Sequence, residues 1–365
     1  MQRRVGVGVL SVAMVLLTSL LATVAASGPA PDSDDSVPVP TFPAPLSRGK
    51  NTLCGTHLVA GALATGKDAV AYFAACVERP GWATTLRYHD LRQSKHSFAL
   101  QLPGTEPAML GFDDDQRVTW ATTRVGIAKA ATARLTVYQL DTRARAIRPV
   151  ASAKLQSPST LSAAVNGDQC WLVRSYQSSE LVLVSRRSQA VSVLPSRAHE
   201  RVLFWDSTDA RFVFVTVPQD GSDPEWSAMD CTGVRHPLRP SLLVALRRLH
   251  SRFSDYFSSP DSDLLLISRL PGSDPSVAAV LDLDDDHEVD PGTLLGEQPA
   301  YFNGFAAHGS LQAIVTPDSI RVLRDRRLID TIPVNYGWND GLGFAGDRTL
   351  AMYASFQLHF LEMGL

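Results

Sequence analysis

No catalytic signature stands anywhere in these 365 residues. There is no G-x-S-x-G elbow, no H-E-x-x-H, no P-loop and no G-x-G-x-x-G opening a helix, which removes the local marks of α/β hydrolases, zincins and nucleotide-binding enzymes. C-x-x-C and H-x-x-x-H spacings are missing too, so a zinc site has no basis. Charge of one sign is also scarce, with 34 Lys and Arg against 37 Asp and Glu for a net charge of −3. A nucleic-acid partner, which needs a basic excess, is excluded on that ground. No N-x-[ST] sequon marks glycosylation, and few stretches carry a helical period.

What is present begins with an address. Arg3 and Arg4 precede an uncharged apolar run, Val5–Ala26, that ends in Val24-Ala25-Ala26-Ser27 with small residues suited to signal peptidase. At 22 residues the run exceeds the roughly 7–15 of an ordinary signal core and is long enough for a bilayer of about 30 Å. Residues 1–26 therefore read as a cleaved signal peptide or as a retained anchor. Either sends the remainder across the membrane, because the arginines hold the N-terminus inside. The expected location is extracytoplasmic, with membrane contact only through this segment. Removing it takes away two arginines and no acid, moving the net charge from −3 to −5. Residues 27–50 carry Pro at 29, 31, 38, 40, 43 and 45 and Asp at 32, 34 and 35. That density favours a solvated, semi-stiff spacer.

Four cysteines follow: Cys54, Cys76, Cys170 and Cys231. An even count in an oxidising compartment points to disulfides, with three pairings open. Cys54–Cys76 with Cys170–Cys231 is preferred, since the first pair would pin the domain's opening strand to its neighbour. Buried free thiols are the alternative.

The body, 51–365, reads as all-β. Short apolar runs such as Leu181–Val184, Phe212–Val215 and Leu264–Ile267 fit strands covered on both faces. One pattern recurs: a short strand, a polar turn, then a very apolar strand. The turns start at 65, 113, 166, 206, 260, 308 and 345, with gaps of 48, 53, 40, 54, 48 and 37 residues. That spacing matches the roughly 40–50 residues of a four-stranded propeller blade. The prediction is a seven-bladed β-propeller of four-stranded blades. The last unit has room for only three strands, so Leu53–Leu58 is expected to supply the fourth and close the ring.

Phe344, Asp347 and the Leu350-Ala351 pair form a phrase that resembles the hairpin opening of WD40-like and YVTN-like propellers, and Phe112–Trp120 fits it loosely. The resemblance is architectural and implies a seven-bladed ring. Regularly spaced Gly-His and Trp-Asp pairs of WD40 repeats are missing.

Three features draw attention as sites. The acidic run Asp282–Asp290 offers Asp284, Asp286 and Glu288 as weak metal candidates. Ca²⁺ wants six to eight oxygens, yet the glycine of an EF-hand loop is absent, and a solvated outer turn of the fifth blade explains the run better. Residues 241–257 predict one inserted amphipathic helix, N-capped at Pro240-Ser241, with Leu242, Leu246, Leu249, Phe253 and Tyr256 on one face and Arg247, Arg248 and Arg252 away from it. Its stripe is expected to pack between the fourth and fifth blades, with membrane or partner binding as the other use. Finally, two inter-blade connections hold Tyr301 and Asn303, and Tyr336, Trp338, Asn339 and Asp340. Aromatic faces with orienting amides and carboxylates suit a sugar or peptide, although a glycine-rich turn capping the core explains them as well.

The expected function is a non-catalytic binding or scaffold module for a protein, peptide or glycan at the cell envelope, monomeric and without cofactor. The alternative is an extracellular hydrolase or lyase acting on a glycan or lactone. It requires two or more Asp, Glu or His converging at the channel mouth with perturbed pKa values.

Overall fold

The computed structural model describes residues 57–59, 63–76, 84–102, 107–125, 133–156, 161–175, 180–218, 222–250, 254–269, 278–333, 339–354 and 357–363. All fall in the compact unit Pro40–Leu365. The expectations for 1–26, 27–50 and Cys54 lie outside them, as does the side chain of Cys76.

Seven antiparallel sheets follow one another along the chain, each a meander in which sequence neighbours pair. The innermost strands are His57–Val59 with Ala64–Thr65, then Pro107–Phe112, Leu161–Asn166, Glu200–Asp206, Ser254–Phe257, Gly304–His308 and Asn339–Ala345. The fold is a seven-bladed β-propeller. All seven predicted turns fall between a first and a second strand. Aspartate makes these turns by bonding the backbone ahead of it. Asp113 Oδ1 accepts from Asp115 N at 3.0 Å and Arg117 N at 2.7 Å, and Asp206 Oδ1 accepts from Thr208 N at 3.1 Å.

The apolar runs are continuous because each central strand is covered on both faces. In Phe212–Val215 the phenylalanines face the third blade while Val213 and Val215 face the fifth. Leu265 and Ile267 meet those valines, and Leu264 and Leu266 face the sixth blade. This period-two division gives one apolar cluster at each blade–blade junction. Burying each large side chain contributes about 1.5–3 kcal/mol.

The predicted closure by Leu53–Leu58 does not hold for the described residues. His57–Val59 pairs with Ala74–Cys76 and Ala64–Thr65 with Val70–Ala71, so both pieces belong to the first blade. The short turn at Gly66 brings these segments together locally, and that nearby pairing takes precedence over reaching the distant last blade. The seventh blade has three strands among the described residues. Its junction with the first blade is closed instead by innermost strands lying against each other. A Cβ on Gly341 would sit 2.7 Å from Leu63 Cβ, one on Gly343 2.6 Å from the Thr65 side chain, and one on Gly346 2.5 Å from the Lys67 carbonyl oxygen. Val70, Ala345, Ala351 and Phe360 form the apolar part of this seam.

The inserted helix is shorter than predicted. α1 spans Pro240–Leu249, and Ser254–Phe257 is the fifth blade's innermost strand. Tyr256 extends the helical spacing only by coincidence, because it lies opposite Ile267 in a sheet. Phe253 lies outside the described residues. The N-cap is Arg239, without a side-chain cap, and the Ser241 hydroxyl donates to Asp286. The buried stripe Leu242, Ala245, Leu246 and Leu249 does pack between the fourth and fifth blades. A second helix, α2, spans Pro291–Leu295. Its Asp290 cap accepts from Gly292 N and Thr293 N, and Gly296 ends it at φ 81°.

Cys170–Cys231 forms a disulfide across 61 residues. It ties the third blade's second strand to the outer turn of the fourth, a constraint of about 4 kcal/mol by loop-closure entropy.

The seam predicts a contrast between two glycines. Gly309 (φ 56°) and Gly346 (φ 67°) share the left-handed conformation, but only Gly346 faces a neighbour, since nothing lies within 4 Å of a Cβ on Gly309. Gly309→Ala should cost only the left-handed penalty, about 1 kcal/mol. Gly346→Ala should exceed it by about 1–3 kcal/mol through overpacking. Urea denaturation midpoints check this, and equal costs would remove the contact from the account.

Candidate functional site

The seven innermost strands surround a channel of about 420 Å³. Each blade contributes an apolar side chain to its wall, Leu63, Leu110, Val165, Phe204, Tyr256, Phe305 and Leu342, yet the exposed wall is more polar than apolar. Thr65, Ser258 and Ser259 add hydroxyls. A wider cavity of about 780 Å³ opens at the end where the first turns gather. Thr65, Phe112, Arg186, Asp261, Ala307 and Phe344 line both spaces, so the mouth leads into the channel.

The mouth concentrates charge because each turn uses polar residues to reverse the chain. His308 of the sixth blade stands between two neighbours, with Nδ1 3.5 Å from Asp261 of the fifth and Nε2 3.2 Å from Asp347 of the seventh. Arg186 donates to the Gly167 carbonyl at 3.3 Å and the Phe112 carbonyl at 3.0 Å, and its guanidinium lies 5.5 Å from the Trp171 ring centre. Burial raises the pKa of Asp168, and the negative charge of Asp261 raises it further, against the opposing pull of Arg186 and Trp205. Beside Asp347, across the seam in the first blade, Arg92 Nε meets Asp68 at 2.7 Å, and Gln116 accepts from Lys67 N at 2.7 Å.

These residues were legible only as turn formers. Asp261, His308 and Asp347 all sit in the recurring turns, which mark the blade period without showing that the ring gathers them at one mouth. Of the residues singled out for ligand contact, only Tyr301 and Asn303 have described side chains. Tyr301 and Asn303 immediately precede an innermost strand, where Asn303 N donates to the Val315 carbonyl at 2.9 Å, and neither lines the channel or this mouth. Tyr336 and Trp338 lie outside the described residues, as do the side chains of Asn339 and Asp340, whose backbones begin the seventh innermost strand.

The acidic run is placed in the fifth blade's outer hairpin, as expected. Its candidate ligands nevertheless serve separate partners. Asp284 accepts from the Thr208 hydroxyl at 2.7 Å, Asp286 lies 3.0 Å from Arg239, and Glu288 lies 2.7 Å from Arg248. A different trio, Asp263, Asp282 and Asp284, does bring its oxygens within 4.8 Å of one another. Arg326 from the sixth blade pairs with two of the three, Asp282 and Asp263.

Two buried groups carry large shifts. Asp206 is raised to about 6 by burial, which outweighs the attraction of Arg239 3.1 Å away. His89, stacked on Tyr72 at 5.6 Å and edge-on to Phe360 across the seam, is lowered to about 4 by burial and then by Arg87.

No family model matches the chain, and no curated relative matches it. Solved structures do. An acylaminoacyl peptidase from Pyrococcus horikoshii superposes with a TM-score of 0.50 at 12% identity, covering 85% of this chain and 53% of that one. The chain thus spans about half of that enzyme's length. The β-propeller domain of the Trilobed protease from Pyrococcus furiosus gives 0.49 at 10% identity, covering 84% and 93%. The Cps50 (Swd1) β-propeller domain of Myceliophteria thermophila gives 0.48 at 11%, covering 84% and 99%. At these identities the likeness concerns fold alone.

The two shifted groups act in opposite directions. Asp206 has a folded pKa above its unfolded value, so its contribution is full below about 4 and is lost as pH rises through about 6. His89 has a folded pKa below its unfolded value, so its contribution is full above roughly 6.5 and is lost as pH falls toward about 4. Asp206→Asn should therefore lose stability on acidification from pH 6.5 to 4 more steeply than wild type. Denaturant midpoints across that range check it, and parallel slopes would count against the raised Asp206.

Proposed function

We propose that this chain is an exported, envelope-associated or secreted propeller that serves as a non-catalytic binding or scaffold module. Its ligand is a protein, peptide or glycan that enters through the mouth formed by the first turns. The observation that carries this reading is the continuity of a channel lined by apolar side chains, hydroxyls and backbone polar groups with a mouth of mixed charge. Such a space excludes water from an apolar group while orienting a polar one. Among the described residues no serine or cysteine stands beside a histidine held by a carboxylate at the channel, so nucleophilic catalysis has no support there.

Export is part of the proposal. It rests on Arg3, Arg4 and the apolar run Val5–Ala26, and a disulfide such as Cys170–Cys231 suits an oxidising compartment. The aromatic and amide-rich connections at Tyr301–Asn303 and Tyr336–Asp340 remain a second candidate contact surface.

A hydrolase or lyase acting on a glycan or lactone is the second reading. It draws on Asp261, His308 and Asp347 converging at the mouth and on the raised Asp168. Two carboxylates flanking a bond can divide acid and base roles when their pKa values differ.

One thermal-shift screen separates the readings. The exported protein is heated with hydrophobic peptides, cell-wall fragments, oligosaccharides and lactones, and each mixture is then analysed by mass spectrometry. Binding predicts a raised midpoint with the ligand intact, about 2.7 kcal/mol of stabilisation at a hundredfold excess over Kd. A cleaved or opened compound would establish the enzyme reading instead.

A further inference from the structure

We infer that the second blade carries a binding face for an anionic glycan, built on a row of like charges that crosses its strands. The face is separate from the mouth, so the inference goes beyond the binding reading above. Three observations on the blade converge on it.

The first is register. Val118–Val125, Ala133–Asp141 and Ala146–Leu155 pair in that order. Arg134 stands directly opposite Lys154, and the backbone of Arg124 stands opposite Arg134 from the other side. Opposed residues lie about 5 Å apart at Cα, and like charges so placed oppose folding. Arg134 and Lys154 are both exposed, and neither has a carboxylate partner among the described residues. These strands hold one acid, Asp141, which sits at the opposite end and pairs with Arg148 at 2.7 Å. A row that costs stability and has no counter-charge is suited to an anion from outside.

The second is what shares the face. Strand alternation sends Ala133, Leu135 and Val137 into the junction with the third blade, and puts Arg134, Thr136 and Tyr138 on the other side. One step from the cations is a row of hydroxyls, with Thr122 opposite Thr136 and Thr136 opposite Ser152. One step further Trp120 and Tyr138 stack at 5.8 Å and join the junction with the first blade. The face therefore rises from a packed base through hydroxyls to exposed cations. Threonine and serine can donate to or accept from sugar hydroxyls, while guanidinium and ammonium groups bind the acid groups between them.

The third is what the two polar rows leave out. None of the exposed large hydrophobics among the described residues belongs to them. The nearest, Val150, falls in the bulge where pairing passes from Ala151 to Pro149. An apolar anchor of the kind a peptide or a membrane would use is therefore missing. The mouth is remote as well, since six residues of strand, roughly 20 Å, separate Val118 beside the first turn from Arg124.

The probes are hexagalacturonate, a sulfated hexasaccharide, the uncharged methyl ester of the first, hexaglutamate, and phosphatidylglycerol vesicles, each titrated calorimetrically with the exported protein. One or both acidic glycans should bind, which tells carboxylate from sulfate, and the ester should bind at least roughly ten-fold more weakly. Arg134→Gln and Lys154→Gln should each weaken the glycan about ten-fold, and Thr136→Val should weaken it with the charge unchanged. Lys154→Glu places an acid opposite Arg134, so it should abolish binding while raising the urea midpoint. A lost site and a lost fold are thereby told apart. Failure of both acidic glycans, equal affinity for the ester, unchanged affinity in any of the three neutral variants, or a lowered midpoint in Lys154→Glu overturns the inference. Equal binding of hexaglutamate or of the vesicles overturns it too, because charge alone would then suffice. None of these outcomes bears on the mouth, whose ligand is read by the wider screen.

Discussion

A ring of blades has no covalent closure between its first and last blade, so that junction must hold by packing, and the whole molecule depends on two sheets meeting face to face. The strand period of two makes this possible. Alternate residues of one strand serve two different junctions, as Phe212 and Phe214 do on one side and Val213 and Val215 on the other. Six junctions are built from clusters of that kind. The seventh differs. Its apolar part is four buried residues among those described, and the gap is closed by backbone approach at Gly341, Gly343 and Gly346. Close approach gives dispersion contact without side-chain volume, and it recurs between the third and fourth blades, where a Cβ on Gly167 would sit 2.7 Å from Trp205.

The same ring geometry makes the site. Turns that are far apart in sequence arrive at one end of the channel, and their polar residues become neighbours. Arginines then tie one blade to the next: Arg186 bonds Phe112 of the second blade, Arg239 lies between Asp206 and Asp286, and Arg326 reaches Asp282 and Asp263. Where a guanidinium is present the carboxylates are structural. At Asp261 and Asp347 the ion-pair partner among the described residues is His308 instead, and both line the cavity.

Period and turn chemistry were legible from residues alone, because Asp113, Asp206 and Gly346 perform local tasks that depend on their own dihedrals and side chains. The Cys170–Cys231 pair was legible too, whereas Cys54 and Cys76 fall where the structure gives no test. Closure was misread because an apolar segment at Leu53–Leu58 can serve either neighbour, and only register assigns His57–Val59 to the first blade. The helix was over-extended because Phe253 and Tyr256 continue a helical spacing by accident. α2 had a readable signal in Asp290-Pro291 and Gly296, hidden inside a run that looked like surface charge. The mouth was not legible in principle, since His308, Asp261 and Asp347 meet only after the ring has formed.

Hydrogen exchange followed strand by strand at low denaturant tests the claim about closure most directly. If the seam of Val70, Ala345, Ala351 and Phe360 with its glycine contacts is the weakest junction, amides of Asn339–Ala345 and Ala69–Cys76 should become exchangeable at lower denaturant than those of Phe212–Val215 and Leu264–Ile267. Loss of protection at one denaturant concentration in all four segments would contradict it.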